Sequence, residues 1–150
     1  MIYQYNNHIP GSRVKYYPED TLSSHGFLKD DYLVKDELFI TNMNNGKRIV
    51  PCVIEIGLSR RLWRMELCHE IGHILLGWRI EQGIERIRCE VLAWRIAKSI
   101  CKAEHWDEGH ALWCLNTYLM KYIPGEYNFS KVEIIPFKNG QFKFTKKLEY

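Results

Sequence analysis

His69-Glu70-Ile71-Gly72-His73 decides the reading of this chain. On an α-helix, residues four apart share a face, so the imidazoles of His69 and His73 stand one turn apart and can reach one metal ion. Glu70 is turned about 100° round the helix from His69, toward whatever that ion holds. Zinc suits such a pair, because it accepts neutral imidazole and because a hydrolytic zinc site keeps one position for water. The competing reading is a surface helix whose His and Glu side chains are only solvated or hydrogen-bonded.

The surroundings weigh against that reading. The pattern predicts a helix over residues 59–76, stopped by Gly77, with Leu62, Trp63, Leu67, Ile71, Ile74 and Leu75 forming a broad apolar stripe. Leu62, Glu66, His69, His73 and Leu76 run down one side, so apolar residues flank the imidazoles and half-burial is expected. A buried imidazole needs a polar partner, and one ion serves both. Gly72, in the middle of this helix, costs about 1 kcal/mol relative to Ala, which predicts the close approach of another backbone or of substrate.

A second helix, expected over residues 82–103, offers a third ligand. Turning about 100° per residue, Arg88, Arg95, Ser99 and Lys102 share one face, the wet one, and Glu90 falls opposite among Ala93, Trp94, Ala97, Ile100 and Cys101. An ionised carboxylate in an apolar stripe must have a partner. Bound metal is one such partner, and a buried ion pair with Arg60 or Arg64 is the other. Glu81 and Glu85 fall nearer solvent, Ala93 and Ala97 are small enough to let the two helices approach, and His105 and His110 stand in reserve as ligands. A third His six residues beyond His73 is absent, position 79 being Arg79.

Residues 61–76, RLWRMELCHEIGHILL, followed by Glu90-Val91-Leu92-Ala93-Trp94-Arg95-Ile96-Ala97, resemble the ImmA/IrrE-type metallopeptidases. These are small cytoplasmic zincins common in phages and other mobile elements of bacteria. The resemblance spans about residues 40–101 and implies a gluzincin-like set in which His69, His73 and Glu90 ligate Zn²⁺ and Glu70 is the catalytic base. It also implies a substrate class, since members of the family typically cut a helix-turn-helix repressor and so release the genes it holds shut. Two features depart from the family pattern: residues 1–30 read as having no convincing amphipathic helix, and no helix-turn-helix module is expected within residues 1–150.

The bulk properties suit one small globular domain over residues 1–150, with 46% hydrophobic and 26% charged residues. The five cysteines are odd in number and lack CxxC spacing, so they read as reduced cytosolic thiols and not as a disulfide framework. No apolar run approaches the length of a membrane span, so a cytoplasmic protein with no membrane partner is expected. The net charge is +3; basic residues concentrate in the two central helices and the tail adds Lys143, Lys146 and Lys147, but acidic residues are interspersed and no nucleic-acid motif accompanies them, so a solvated face is expected before a nucleic-acid partner.

Around the helices, residues 1–30 read as irregular, with a turn at Pro10-Gly11. Residues 37–41 and 48–56 read as strands joined by the hairpin signal Asn44-Asn45-Gly46, and Pro51 marks the second as an edge strand that could receive extended substrate as a further strand. Residues 106–122 read as a third helix ended by Pro124-Gly125, and residues 132–136 and 141–145, separated by Asn139-Gly140, as a terminal hairpin. The expected fold class is α+β, a minimal zincin-like domain in which a small sheet packs on the HExxH helix and the Glu-ligand helix, with a C-terminal hairpin.

The expected activity is zinc-dependent endopeptidase cleavage of a protein substrate. Glu70 takes a proton as water attacks the peptide carbonyl and delivers it to the leaving amine, with His105, His110, Tyr118 and Tyr122 all open as donors to the oxyanion. Two other classes stay in view. One is a non-catalytic zincin-scaffold binding protein or inhibitor in phage and host conflict, against which the retained Glu70 argues. The other is a nucleic-acid-binding accessory protein resting on the basic helices.

Overall fold

The computed structural model describes residues 12–29, 32–34, 52–76, 83–122 and 133–136. Four strands, β1 (Arg13–Tyr17), β2 (Ser24–Lys29), β3 (Tyr32–Val34) and β4 (Cys52–Gly57), form a mixed sheet in the order β1-β4-β2-β3. Three helices follow: α1 (Trp63–Leu76), α2 (Gly83–Ile100) and, after a 3-10 turn at Ala103–His105, α3 (Glu108–Tyr122). The class is α+β, as expected.

β4 lies inside the sheet, which corrects the edge-strand expectation. It runs parallel to β1, with Arg13 opposite Val53, and antiparallel to β2, with His25 opposite Ile54. Cys52, Val53, Ile54 and Ile56 are all buried, the near-continuous apolar run that a strand covered on both faces requires. At the start of β4 the Cys52 amide donates to Ser12 Oγ at 2.9 Å. Both sides of β4 are taken, so no substrate strand can add to it.

A second correction concerns residues 1–30. Within them β1 and β2 are regular strands, stabilised by pairing with β4 and not by local propensity; the alternation in Arg13–Tyr17 is too weak to stand out from its polar surroundings. α1 begins at Trp63 instead of residue 59 because a chain of turns carries residues 58–62, with the Arg60 amide donating to Gly57 O and the Trp63 amide to Arg60 O, both at 3.2 Å. Residues 133–136 belong to no sheet among the described residues. Side chains tether them instead: Lys98 Nζ donates to Ile134 O, Arg95 Nε to Ile135 O, and Ile134 N to Glu108 Oε2. The expected strand 37–41, the turn at Asn44-Asn45-Gly46 and the second hairpin arm 141–145 lie outside the described residues.

α1 is the axis of the core, with ten of its fourteen residues buried. On one side Leu67, Ile71, Ile74 and Leu75 pack with Ile54 and Ile56 of the sheet and Leu92 and Ile96 of α2. On the other, Met65 and Cys68 meet Trp94 and Ala97 of α2 and Ala111 and Leu115 of α3. A helix covered so completely cannot leave polar side chains unpartnered. All five cysteines are free thiols, and no helix among the described residues is long and apolar enough to cross a membrane.

Gly72 marks where α1 and α2 cross, as its sequence position suggested. A Cβ there would strike the Ala93 carbonyl oxygen and lie 3.1 Å from its carbon. Gly72→Ala gains about 1 kcal/mol of helix propensity. Overpacking against rigid backbone costs about 1–3 kcal/mol, so the clash prevails and a lower melting temperature is expected, by about 2–4 °C per kcal/mol lost. Thermal unfolding followed by circular dichroism checks this; an equal or higher melting temperature would remove the crossing from the account.

Candidate metal centre

The crossing at Gly72 brings Glu90, on the first half of α2, against the His69 and His73 rings of α1. Glu90 Oε2 lies 2.6 Å from His73 Nε2 and 3.3 Å from His69 Nε2. One donor atom from each of the three residues falls within 4.8 Å of the others, so this group could hold a metal ion. Glu90 is wholly buried and the two imidazoles nearly so. The arginine alternatives go elsewhere: Arg60 grips Glu66 at 2.9 and 3.0 Å and Asp20 at 3.1 Å, and Arg64 lies over the Trp63 ring. Glu85, read as solvent-side, is partly exposed and pairs with Arg88.

The donors fit a cation on their own chemistry. Two imidazole nitrogens turn toward one carboxylate oxygen, the N/N/O set of hydrolytic zinc sites. The other oxygen, Glu90 Oε1, is buried without a well-formed hydrogen bond, although the Tyr118 hydroxyl lies within reach of the carboxylate. A buried acceptor left in that state costs about 1–3 kcal/mol, which a cation would remove.

Aromatic neighbours fix the imidazoles. Trp94, one turn beyond Glu90, stacks on His69 with ring centroids 3.9 Å apart and planes 6° apart. His25 of β2 stacks on His73 at 5.2 Å and 16°, and its Nδ1 meets Glu70 Oε2. Sequence reasoning missed His25, since a single His in a stretch that reads as irregular carries no signal. Only the sheet brings it across to α1.

Protonation suits ligation. Burial alone would raise the Glu70 carboxyl, but His25, then His69 and His73, outweigh it and hold its pKa down to about 2. Burial likewise opposes ionisation of Glu90, and His73 and His69 overcome it, leaving Glu90 well below the usual range. For His73 burial prevails over Glu90 and lowers the pKa, favouring the neutral imidazole that a metal takes.

The remaining candidates divide. Burial and the neighbouring Glu90 charge raise the Tyr118 hydroxyl, so it keeps its proton beside the ligand set. His105 faces Glu104 at 3.7 Å in the 3-10 turn, and His110 faces Glu66 at 3.6 Å and the Cys114 sulfur at 3.7 Å, so neither joins the metal group. Tyr122 closes α3, and its side chain is outside the described residues.

His110 gives the site's flank a pH signature. The Cys114 sulfur and the Glu66 carboxylate raise its pKa from 6.5 to about 9, against the effect of burial. The folded state therefore binds this proton more tightly than the unfolded chain. The resulting stabilisation is complete below pH 6.5 and is lost as pH rises through about 9. Melting temperature measured across that window should fall for the wild type and fall less for His110→Asn; identical slopes would show that His110 is not the group responsible.

In comparisons with known proteins, the chain matches no family model, no curated protein and no solved structure.

Proposed function

We propose that this chain is a zinc-dependent endopeptidase with a zincin-like active site, acting on a protein such as the helix-turn-helix repressor of a phage or mobile element. The observation that carries the proposal is the meeting of Glu90, from a separate helix, with both His residues of HExxH, while Glu70 stands ionised beside them. Structural zinc sites use four protein ligands and have no need of a base; three ligands with a carboxylate alongside is the hydrolytic pattern. The repressor substrate rests on the resemblance of residues 61–76 and Glu90 to ImmA/IrrE-type peptidases.

His69, His73 and Glu90 would hold the zinc, which when bound supplies a Lewis acid for the peptide carbonyl and lowers the pKa of water toward neutrality. Glu70 accepts the proton of the attacking water on its carboxylate and passes it to the leaving amine. Trp94 and His25 stack on the imidazoles and orient their planes. Tyr118 is the one candidate oxyanion donor that is set beside a ligand among the described side chains, and its retained proton equips it for the role.

A second reading is a zinc-holding binding module without hydrolysis, which the same converging donor atoms would serve. The nucleic-acid reading has less support. Arg60 and Arg61 are neutralised by Glu66, Asp20 and Asp107, and Lys98 by Glu108, so their charge is cancelled locally.

The test is to incubate zinc-loaded protein with a bacterial protein extract and to detect new amino termini by mass spectrometry. Specific cleavage that a chelator abolishes and zinc restores is expected. A fully loaded protein that generates no new termini would favour the binding module.

A further inference from the structure

Among the described residues, one side chain touches both the base and a ligand. His25 Nδ1 meets Glu70 Oε2, and the face of the same ring lies on His73. We propose that His25 is a positioning residue of the metal centre, its Nδ1–H fixing the Glu70 carboxylate and its ring fixing the His73 imidazole. This inference rests on the metallopeptidase reading above.

The placement follows from the fold. β2 pairs with the buried centre strand, His25 opposite Ile54, and β2 packs against α1, so the sheet delivers this ring to the HExxH helix. The contact is shielded: the side chains are 23% and 9% exposed. Hydrogen bonds in such surroundings count for more than at the surface, and a carboxylate as buried as Glu70 would be costly to leave without a donor. The ring adds a second constraint, since a stacked plane limits rotation of His73 about the direction of its donor nitrogen. Outer partners that orient ligands and bases are typically worth about 10–100-fold in metal affinity or activity. A ring that merely filled space between sheet and helix would need no Nδ1–H.

Two substitutions separate the two duties. His25→Phe keeps the ring and removes the donor, whereas His25→Asn keeps an amide N–H near the Nδ1 position and removes the ring. In the full chain, zinc affinity measured by competition with a chromophoric chelator should be unchanged in His25→Phe and weakened about 10–100-fold in His25→Asn. Hydrolysis of the bacterial extract should show the reverse order, lowered about 10–100-fold in His25→Phe and largely retained in His25→Asn once zinc is saturating.

A direct spectroscopic reading accompanies these. ¹⁵N spectra of histidine-labelled protein should show His25 protonated at Nδ1, with its Nδ1 resonance shifting in Glu70→Ala. An unprotonated Nδ1 in the wild type, or two variants with the same zinc affinity and the same hydrolysis, would overturn the proposal. A wild type that loads zinc and cleaves nothing would instead sink the peptidase reading, and the zinc-affinity and ¹⁵N results would still decide the role of His25.

Discussion

Glu70→Gln is expected to keep the fold and the zinc while losing hydrolysis by about 10²-fold or more. The amide has almost the shape of the carboxylate, and its oxygen can still accept a hydrogen bond from His25 Nδ1, so the packing around α1 is preserved. Glu70 is not one of the three residues whose donor atoms converge, so the metal should stay. What disappears is the ability to take a proton. A stability signature should go with it. The folded pKa of about 2 lies below the ordinary 4.5, so ionised Glu70 contributes stability above pH 4.5 that is lost as pH falls toward 2. Glu70→Gln should flatten that limb in thermal melts. Hydrolysis at the wild-type rate in this variant would rule out Glu70 as the base.

The second large effect belongs to Glu90. Glu90→Ala should lower zinc affinity by more than the ~10–100-fold typical of outer partners, because it removes a ligand and not a support. Glu90→Gln should do so less completely, an amide oxygen being a neutral and poorer donor. The metal-free protein should also be destabilised. Glu90 Oε2 faces both imidazoles, and removing one member of a buried pair costs about 3–5 kcal/mol where the other cannot neutralise. Neutralisation of His73 should make the observed loss smaller. Glu85→Ala is the control, because Glu85 is partly exposed and bound to Arg88, and it should change neither property. Undiminished zinc in Glu90→Ala would refute its place in the ligand set.

The candidate site was largely legible in the sequence, because helical periodicity determines which residues share a face. That alone put His69 with His73, and it put Glu90 among apolar neighbours where a carboxylate demands a partner. Gly72 was legible for a similar reason, since a mid-helix glycine has to be compensated by packing. The sheet was harder to read. β1 and β2 owe their existence to β4, and a proline in the sequence run was a poor guide to the place of β4, which has a neighbour on each side. Arg60 was open only as an alternative ion-pair partner for Glu90, and Glu66, six residues away on α1, is itself buried and takes it. His25 reaches Glu70 across 45 residues of sequence, and no local pattern encodes a contact of that range.

The central claim is that His69, His73 and Glu90 hold one metal ion. Elemental mass spectrometry on the purified full chain, equilibrated with micromolar zinc and freed of excess, tests it most directly. About one zinc per chain is expected in the wild type, and almost none in the His69→Ala/His73→Ala double variant. A wild type without zinc, or a double variant that retains full occupancy, would contradict it.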